Sequence, residues 1–192
     1  IANHAGTTPM NLRKDAVLAG SKLALAVNEI TNSFEGAQVG TVGRFQASPG
    51  APNVIPGQVI MSLEIRDINR DKIWQIYRKI EERAAEIAKE YGTTISFDYL
   101  NIASIPANMD SRIQNAIQKS ANDLGLSHMY MPSGAGHDAQ DMAQLAPTGM
   151  IFIPSVGGIS HSPNEYSHPE DMANGVNVLL RTILKIDQDG RF

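Results

Sequence analysis

Residues 59–91 constrain the fold more than any other stretch. Val59, Met61, Leu63 and Ile65 alternate with Ile60, Ser62, Glu64 and Arg66, the period-two pattern of a half-buried strand. The period then changes. Ile73, Ile76, Tyr77, Ile80, Ala84, Ile87, Ala88 and Tyr91 recur at helical spacing over 71–91, with Asp71 placed to cap the start and Gly92 where a C′ glycine belongs. A strand feeding a long amphipathic helix commits this region to a sheet covered by helices on one face.

The neighbouring segments extend that pattern. Ala16, Ala19, Leu23, Val27 and Ile30 make a small, Ala-rich helical stripe over 13–31, suited to close packing on a sheet. Residues 37–47 read as a strand weakened by Gly40 and Gly43. Residues 48–57, with three prolines and two glycines, read as a loop. Ile95, Phe97 and Tyr99 alternate with Ser96 and Asp98 and predict one more strand. One further strand before His4 would complete βαββαβ, the split βαβ two-layer sandwich. That first strand would lie mostly upstream of residue 1. The chain opens Ile-Ala-Asn-His with a rich motif and no lead-in, so we expect a piece of a longer chain.

A boundary is expected within 101–109, dividing an α+β domain (1–105) from an α/β domain (106–192). The second half predicts a helix over 110–124 (Ile113, Ala116, Ile117, Ala121, Leu124), a short strand at 128–131 and the turn SGAGHDA (133–139). A helix at 138–145 and a fully apolar strand of the buried parallel type at 149–153 follow. A mobile Gly-rich loop (155–168) then leads to a last helix striped by Met172, Val176, Leu179, Leu180, Ile183 and Leu184. So few elements would leave a parallel sheet with open edges.

Composition excludes several function classes. Sixteen basic against twenty acidic residues give a net charge of -4, without the basic face that nucleic acid needs. No apolar run reaches membrane-spanning length. Cysteine is absent, so neither disulfides nor thiolate chemistry enter. Neither a GxSxG elbow nor a glycine-rich phosphate loop is present.

Three of the five histidines sit in informative company. His161 ends IFIPSVGGISH, where an apolar strand would run into a loop at the carboxyl edge of a sheet, a common place for sites. A neutral imidazole there suits a zinc-type metal; a loop histidine facing solvent fits the residues equally well. SGAGHDA sets Gly134 and His137 in a turn whose amides can meet an anion, or it is a tight turn capped by Asp138. HAGTTPM places His4 at a helix entry, where the threonines also explain a capping loop. Asn53 lies between two prolines, and Arg66 ends the alternating strand. Arg66 either pairs with Glu64 at the surface, worth little, or joins Asn53 in gripping a carboxylate. His128 and His168 read as surface or capping histidines.

NHAGTTPM, PNVIPG, EIRD, SGAGHDA, MIFIPS and GISHSPNEY in this order resemble the N-carbamoyl-L-amino acid hydrolases, allantoate amidohydrolases and β-ureidopropionases. These are amidohydrolases with two metals, related to aminoacylase-type metallopeptidases. The resemblance runs from residue 3 to about residue 180. It implies that 1–105 is a lid and dimerisation domain and that 106–192 is the C-terminal part of the catalytic domain. It implies His161 as a metal ligand and His4 as the lid histidine that steadies the oxyanion in the partner subunit's site. Asn53 and Arg66 resemble the holders of the substrate carboxylate, and Gly134 to His137 the turn lining the substrate pocket. Two divalent ions (zinc, manganese, cobalt or nickel), a carboxylate-bearing substrate, a homodimer and a cytoplasmic location go with it.

The family's first catalytic segment, with its other metal ligands and general base, has no counterpart in this chain. One imidazole cannot hold two metals, so the chain alone is expected to be inactive. The expected activity of the whole is cleavage of the carbamoyl C–N bond of N-carbamoyl-L-amino acids or related ureido acids to amino acid, ammonia and carbon dioxide. An aminoacylase or dipeptidase of the same superfamily, and a non-catalytic dimerisation module, are the alternatives.

Overall fold

The computed structural model describes residues 1–100 and 105–190. The chain divides into two compact units, Ile1–Pro106 and Ala107–Phe192.

In the first unit the helices form where the stripes predict. Helix α1 spans Ala16–Asn32 and starts at Asp15, whose carboxylate accepts from the amides of Val17 (2.8 Å) and Leu18 (3.4 Å). Arg13 and Lys14 therefore precede the helix. Helix α2 spans Arg70–Tyr91 and ends at Gly92, left-handed at φ 59°. Its N-cap is Asn69, not Asp71: the Asn69 Oδ1 accepts from the amides of Asp71 and Lys72 at 2.9 and 3.1 Å. Asp71 falls within the first turn, where its charge still suits the helix dipole.

The two central strands are each broken. Strand β1 is Asn3–His4, β2 Val39–Thr41, β3 Phe45–Ser48, β4 Val54–Ile55, β5 Gln58–Met61 and β6 Glu64–Arg66. Thr41 faces Glu64, and Phe45 faces Met61. Residues 42–44 thus oppose only residues 62–63, one residue too many on the first strand. This is the signature of a β-bulge. Gly43 sits inside it, and the Ser62 hydroxyl accepts from the Arg44 amide at 2.9 Å. The expected strands 37–47 and 59–65 are therefore one antiparallel ribbon interrupted at a bulge. The side-chain alternation survives, and Met61, Leu63 and Ile65 all pack on the helices.

The core of this unit is one cluster. Leu23, Ala26 and Val27 of α1 meet Ile76, Ile80, Ala84 and Ile87 of α2, and Val42, Met61, Leu63 and Ile65 line the sheet side. Gly20 allows close approach: a Cβ there would stand 3.1 Å from Val59 and 3.2 Å from Phe45.

Two expectations about this half need correction. No four-stranded βαββαβ sheet forms; the described residues make three two-stranded ladders. Residues 48–57 are not all loop, because β4 pairs with β1. Residues 95–98 alternate in burial as a strand would, with Tyr99 exposed, but no described segment offers 95–99 a ladder. They are held by side chains instead. Trp74 stacks on Tyr99 at 5.4 Å, and Tyr77 meets Phe97 edge-on at 5.6 Å.

In the second unit, α3 (Ser111–Asp123) packs on α5 (Pro169–Asp189), with the four-residue helix α4 (Ala139–Met142) between them in sequence. The expected strands 128–131 and 149–153 are absent. A parallel strand needs hydrogen-bonded neighbours reached by crossovers, and no described segment supplies one. Residues 149–153 lie against the helices: a Cβ on Gly149 would collide with Ile113, and one on Gly175 with Ile153.

The stripe on α5 also differs from expectation. Val178 and Thr182 are buried, while Val176 is 63% and Leu180 55% exposed, and Met172, Leu179, Ile183 and Leu184 are exposed with them. The helix is apolar on more than one side. The buried side of α5 carries Val178 and Thr182, and the buried residues of α3 are Ser120 and Ala121; Gly175 leaves room for Ile153.

Two outcomes follow from this packing. Ile80→Ala, at a fully buried site, should destabilise the first unit by about 2–5 kcal/mol, read by urea denaturation. Asp110 caps α3 and holds the Arg112 guanidinium. Those bonds lower its carboxyl from the ordinary 3.8 to about 2. Its contribution is therefore complete above about pH 4 and is lost as pH falls toward 2. Asp110→Asn should flatten the acid limb of the α3 unfolding curve over that window, followed by circular dichroism.

Candidate functional site

In the first unit a backbone ladder brings two of the candidate residues together. His4 lies opposite Val54 in the β1–β4 pair, and the amide of Ala5 donates to the Asn53 carbonyl at 2.9 Å. Both side chains are exposed. The turn after His4 closes on itself: the Thr8 hydroxyl donates to the His4 carbonyl at 2.8 Å, and the Gly6 amide donates to His4 Nδ1 at 3.0 Å.

Arg66 stands at the end of β6 opposite Val39. Its guanidinium engages Glu64 through Nε at 2.9 Å and Nη2 at 2.6 Å. The pair is open to water, with side chains 45% and 58% exposed, so it contributes no more than about 1 kcal/mol and can be exchanged for another carboxylate. The next residue is better anchored. Asp67 accepts from the Asn69 amide at 2.7 Å and pairs with Lys72 at 3.0 Å, while Lys72 also donates to the Glu35 carbonyl at 2.6 Å. This half-buried ion pair sets the turn from β6 into α2 and so the point where Arg66 emerges.

In the second unit, His137 Nε2 lies 2.7 Å from the Ser133 hydroxyl, and its ring meets Phe152 edge-on at 5.5 Å. The Ser133 oxygen also accepts from the Ala135 amide at 3.2 Å. The Gly134 turn is therefore closed by Ser133 across to His137. Asp138 does not cap the following helix with its side chain. The His137 amide takes the Gln140 side chain instead, at 3.2 Å.

His161 has a left-handed backbone, φ 55°, the one non-glycine among the described residues with positive φ. Its amide donates to the Glu165 carboxylate at 2.9 Å. The loop expected to be mobile is cross-braced. The Val156 amide donates to the Tyr166 carbonyl (2.8 Å), and the Ser167 hydroxyl donates to that of Pro154 (2.8 Å). An imidazole held on strained backbone at the tip of a braced loop is a feature that functional sites accumulate.

Among the described residues, no three His, Asp or Glu side chains gather into a metal-binding group. A catalytic zinc site takes about three protein ligands. The donors present therefore do not fit a metal centre by themselves; His161 offers a single imidazole.

The likeness to known proteins carries this geometry into a family. The chain matches the model of peptidase family M20/M25/M40 over residues 6–185, and it belongs to that family, among the hydantoinase/carbamoylase amidohydrolases. It is 42% identical over 187 residues to the ureidoglycolate hydrolase of Arabidopsis thaliana, covering 97% of this chain and 39% of that protein. It is 37% identical over 187 residues to the N-carbamoyl-L-amino acid amidohydrolase of Geobacillus stearothermophilus, covering 97% and 45%. Among solved structures it matches AtUAH in complex with (S)-hydroxyglycine, with a TM-score of 0.84 and 42% identity over 97% of this chain and 44% of that one. It also matches a hydantoinase/carbamoylase family amidase from Burkholderia multivorans, with a TM-score of 0.86 and 36% identity over 96% and 45%. The chain spans under half the length of the curated relatives it matches.

Sequence reasoning missed Arg13, Asp67, Lys72 and Ser133. Each acts on backbone or on a neighbour at an irregular spacing, and only the short polar offsets 133/137 and 67/69 hinted at contact.

The braced loop gives a direct test of what His161 is for. His161→Gly is expected to leave thermal stability unchanged or to raise it by at most about 1 kcal/mol, because glycine adopts this backbone freely. A clear drop in melting temperature would mean that the imidazole serves the fold.

Proposed function

We propose that the chain is the lid and C-terminal catalytic part of an amidohydrolase that cleaves the carbamoyl C–N bond of N-carbamoyl-L-amino acids or related ureido acids. Free amino acid, ammonia and carbon dioxide are the products. The observation that carries this reading is the single ordered match to carbamoylases, allantoate amidohydrolases and ureidoglycolate hydrolases across nearly the whole chain.

Residues 1–105 are the lid in this reading. Arg66 and Asn53 bind the substrate carboxylate. The guanidinium fork suits a two-point grip, and its present partner Glu64 is a weakly held carboxylate that the ligand displaces. Fixing that end of the substrate positions the carbonyl for attack. His4 donates from Nε2 to the oxygen that gains charge, the kind of preset electrostatics on which acyl-type hydrolysis depends. A homodimer through this domain belongs to the same reading. The bound carboxylates hydroxyglycine and glyoxylate, named for the AtUAH crystals, accord with a carboxylate subsite.

Residues 106–192 belong to the catalytic domain in this reading, and the exposed stripe on α5 supports a face built to be covered. Gly134 and His137 line the substrate pocket. His161 is one ligand to a metal pair (zinc, manganese, cobalt or nickel) whose remaining donors lie outside the described residues. No helix among the described residues is long and apolar enough to cross a membrane, and the cysteine-free sequence suits a cytoplasmic setting.

The test is steady-state kinetics of the full-length protein on an N-carbamoyl-L-amino acid. Arg66→Ala should raise KM roughly 10- to 100-fold, the worth of a charge-assisted pair, with kcat little changed. His4→Ala should lower kcat about 100-fold or more. An unchanged KM for carboxylate substrates in the Arg66 variant would remove the carboxylate assignment.

A further inference from the structure

We infer that Gly6 and Arg13 are positioning residues that preset the His4 imidazole with its proton on Nε2. This inference rests on the reading of His4 as the donor to the reacting oxygen.

The local bonds make the case. The Gly6 amide donates to His4 Nδ1 at 3.0 Å. In a neutral imidazole one nitrogen donates and the other accepts. An occupied Nδ1 lone pair therefore leaves the proton on Nε2, at the far edge of the ring. Gly6 is the residue type that fits: a Cβ there would lie 3.2 Å from His4 Cε1 and 3.5 Å from Nδ1, pressing on the ring that the amide must reach.

Arg13 holds the loop that aims this amide. Its Nη2 donates to the Ala5 carbonyl at 2.6 Å and its Nε to the Thr8 carbonyl at 3.1 Å. The guanidinium thus spans the residues on either side of Gly6. From the other direction, the Ala5 amide is fixed to Asn53. Arg13 joins no ion pair among the described residues, so its fork is spent on these two carbonyls. A lysine ammonium is a point donor and does not reproduce the two-carbonyl span.

The experiment is nitrogen NMR of the full-length protein with isotope-labelled histidine, at a pH about two units above the ordinary imidazole value. His4→Gln assigns the resonance. In the wild type, Nδ1 should read as pyridine-like and Nε2 as pyrrole-like. In Arg13→Gln and in Gly6→Ala both nitrogens should move toward the tautomer-averaged position, and Arg13→Lys should not restore them. The kcat of Arg13→Gln should fall about tenfold with KM within about twofold. A wild-type ring protonated on Nδ1, or shifts unmoved in both Arg13→Gln and Gly6→Ala, overturns the inference whatever the kinetics. Shifts that move while kcat stays constant uphold the positioning and instead overturn the role of His4 at the reacting oxygen.

Discussion

The packing of α1 and α2 on the ribbon β2/β3–β5/β6 underlies everything in the first unit. Val27, Ile76, Ile80 and Ile87 are almost without exposed surface, and they hold the helices to the face carrying Met61, Leu63 and Ile65. The two exits from this core place the candidate residues. The approach to α1 carries the His4 turn and Arg13. The turn into α2 carries Arg66 and the Asp67–Lys72 pair. A slip of one residue in the ribbon would turn Leu63 to solvent and Arg66 inward. The bulge opposite residues 62–63 lets both halves of the ribbon keep their faces while it twists.

The second unit is built on a different balance. Its buried face is narrow and made of small residues, Ser120, Ala121, Val178 and Thr182. Much aliphatic surface on α5 stays open. Hydrogen bonds within its loops, rather than a broad apolar core, give His137 and His161 their settings: Ser133 across the Gly134 turn, Glu165 under His161, and the neck formed by Val156 with Tyr166 and Ser167 with Pro154.

The polar candidates divide by how they are held. His4, His137 and His161 each have a backbone or side-chain partner that sets ring or loop geometry. Arg66, in contrast, rests on a solvent-exposed carboxylate. That difference accords with the proposed roles: a group that exchanges one carboxylate for another is best held loosely, and a group that presents one nitrogen is best held firmly.

Although the helix expected over 138–145 is reduced to Ala139–Met142, the sequence by itself determined the long helices and the inward face of the central strands. Those depend on periodicity and on local caps, and Gly92 and the 59–65 alternation carry that information within a few residues. The ordered motifs also determined the family. Tertiary structure alone decided the rest. Whether 95–99 and 149–153 pair as strands depends on a neighbour that periodicity cannot supply, because a strand is completed by hydrogen bonds to another segment. Which side of α5 is buried, the one carrying Val178 and Thr182, was decided by packing on α3, since a helix apolar on several sides does not name its own partner. The tautomer of His4 was settled by a glycine amide two residues away and an arginine nine residues on, a hydrogen-bond geometry that exists only once the turn has closed.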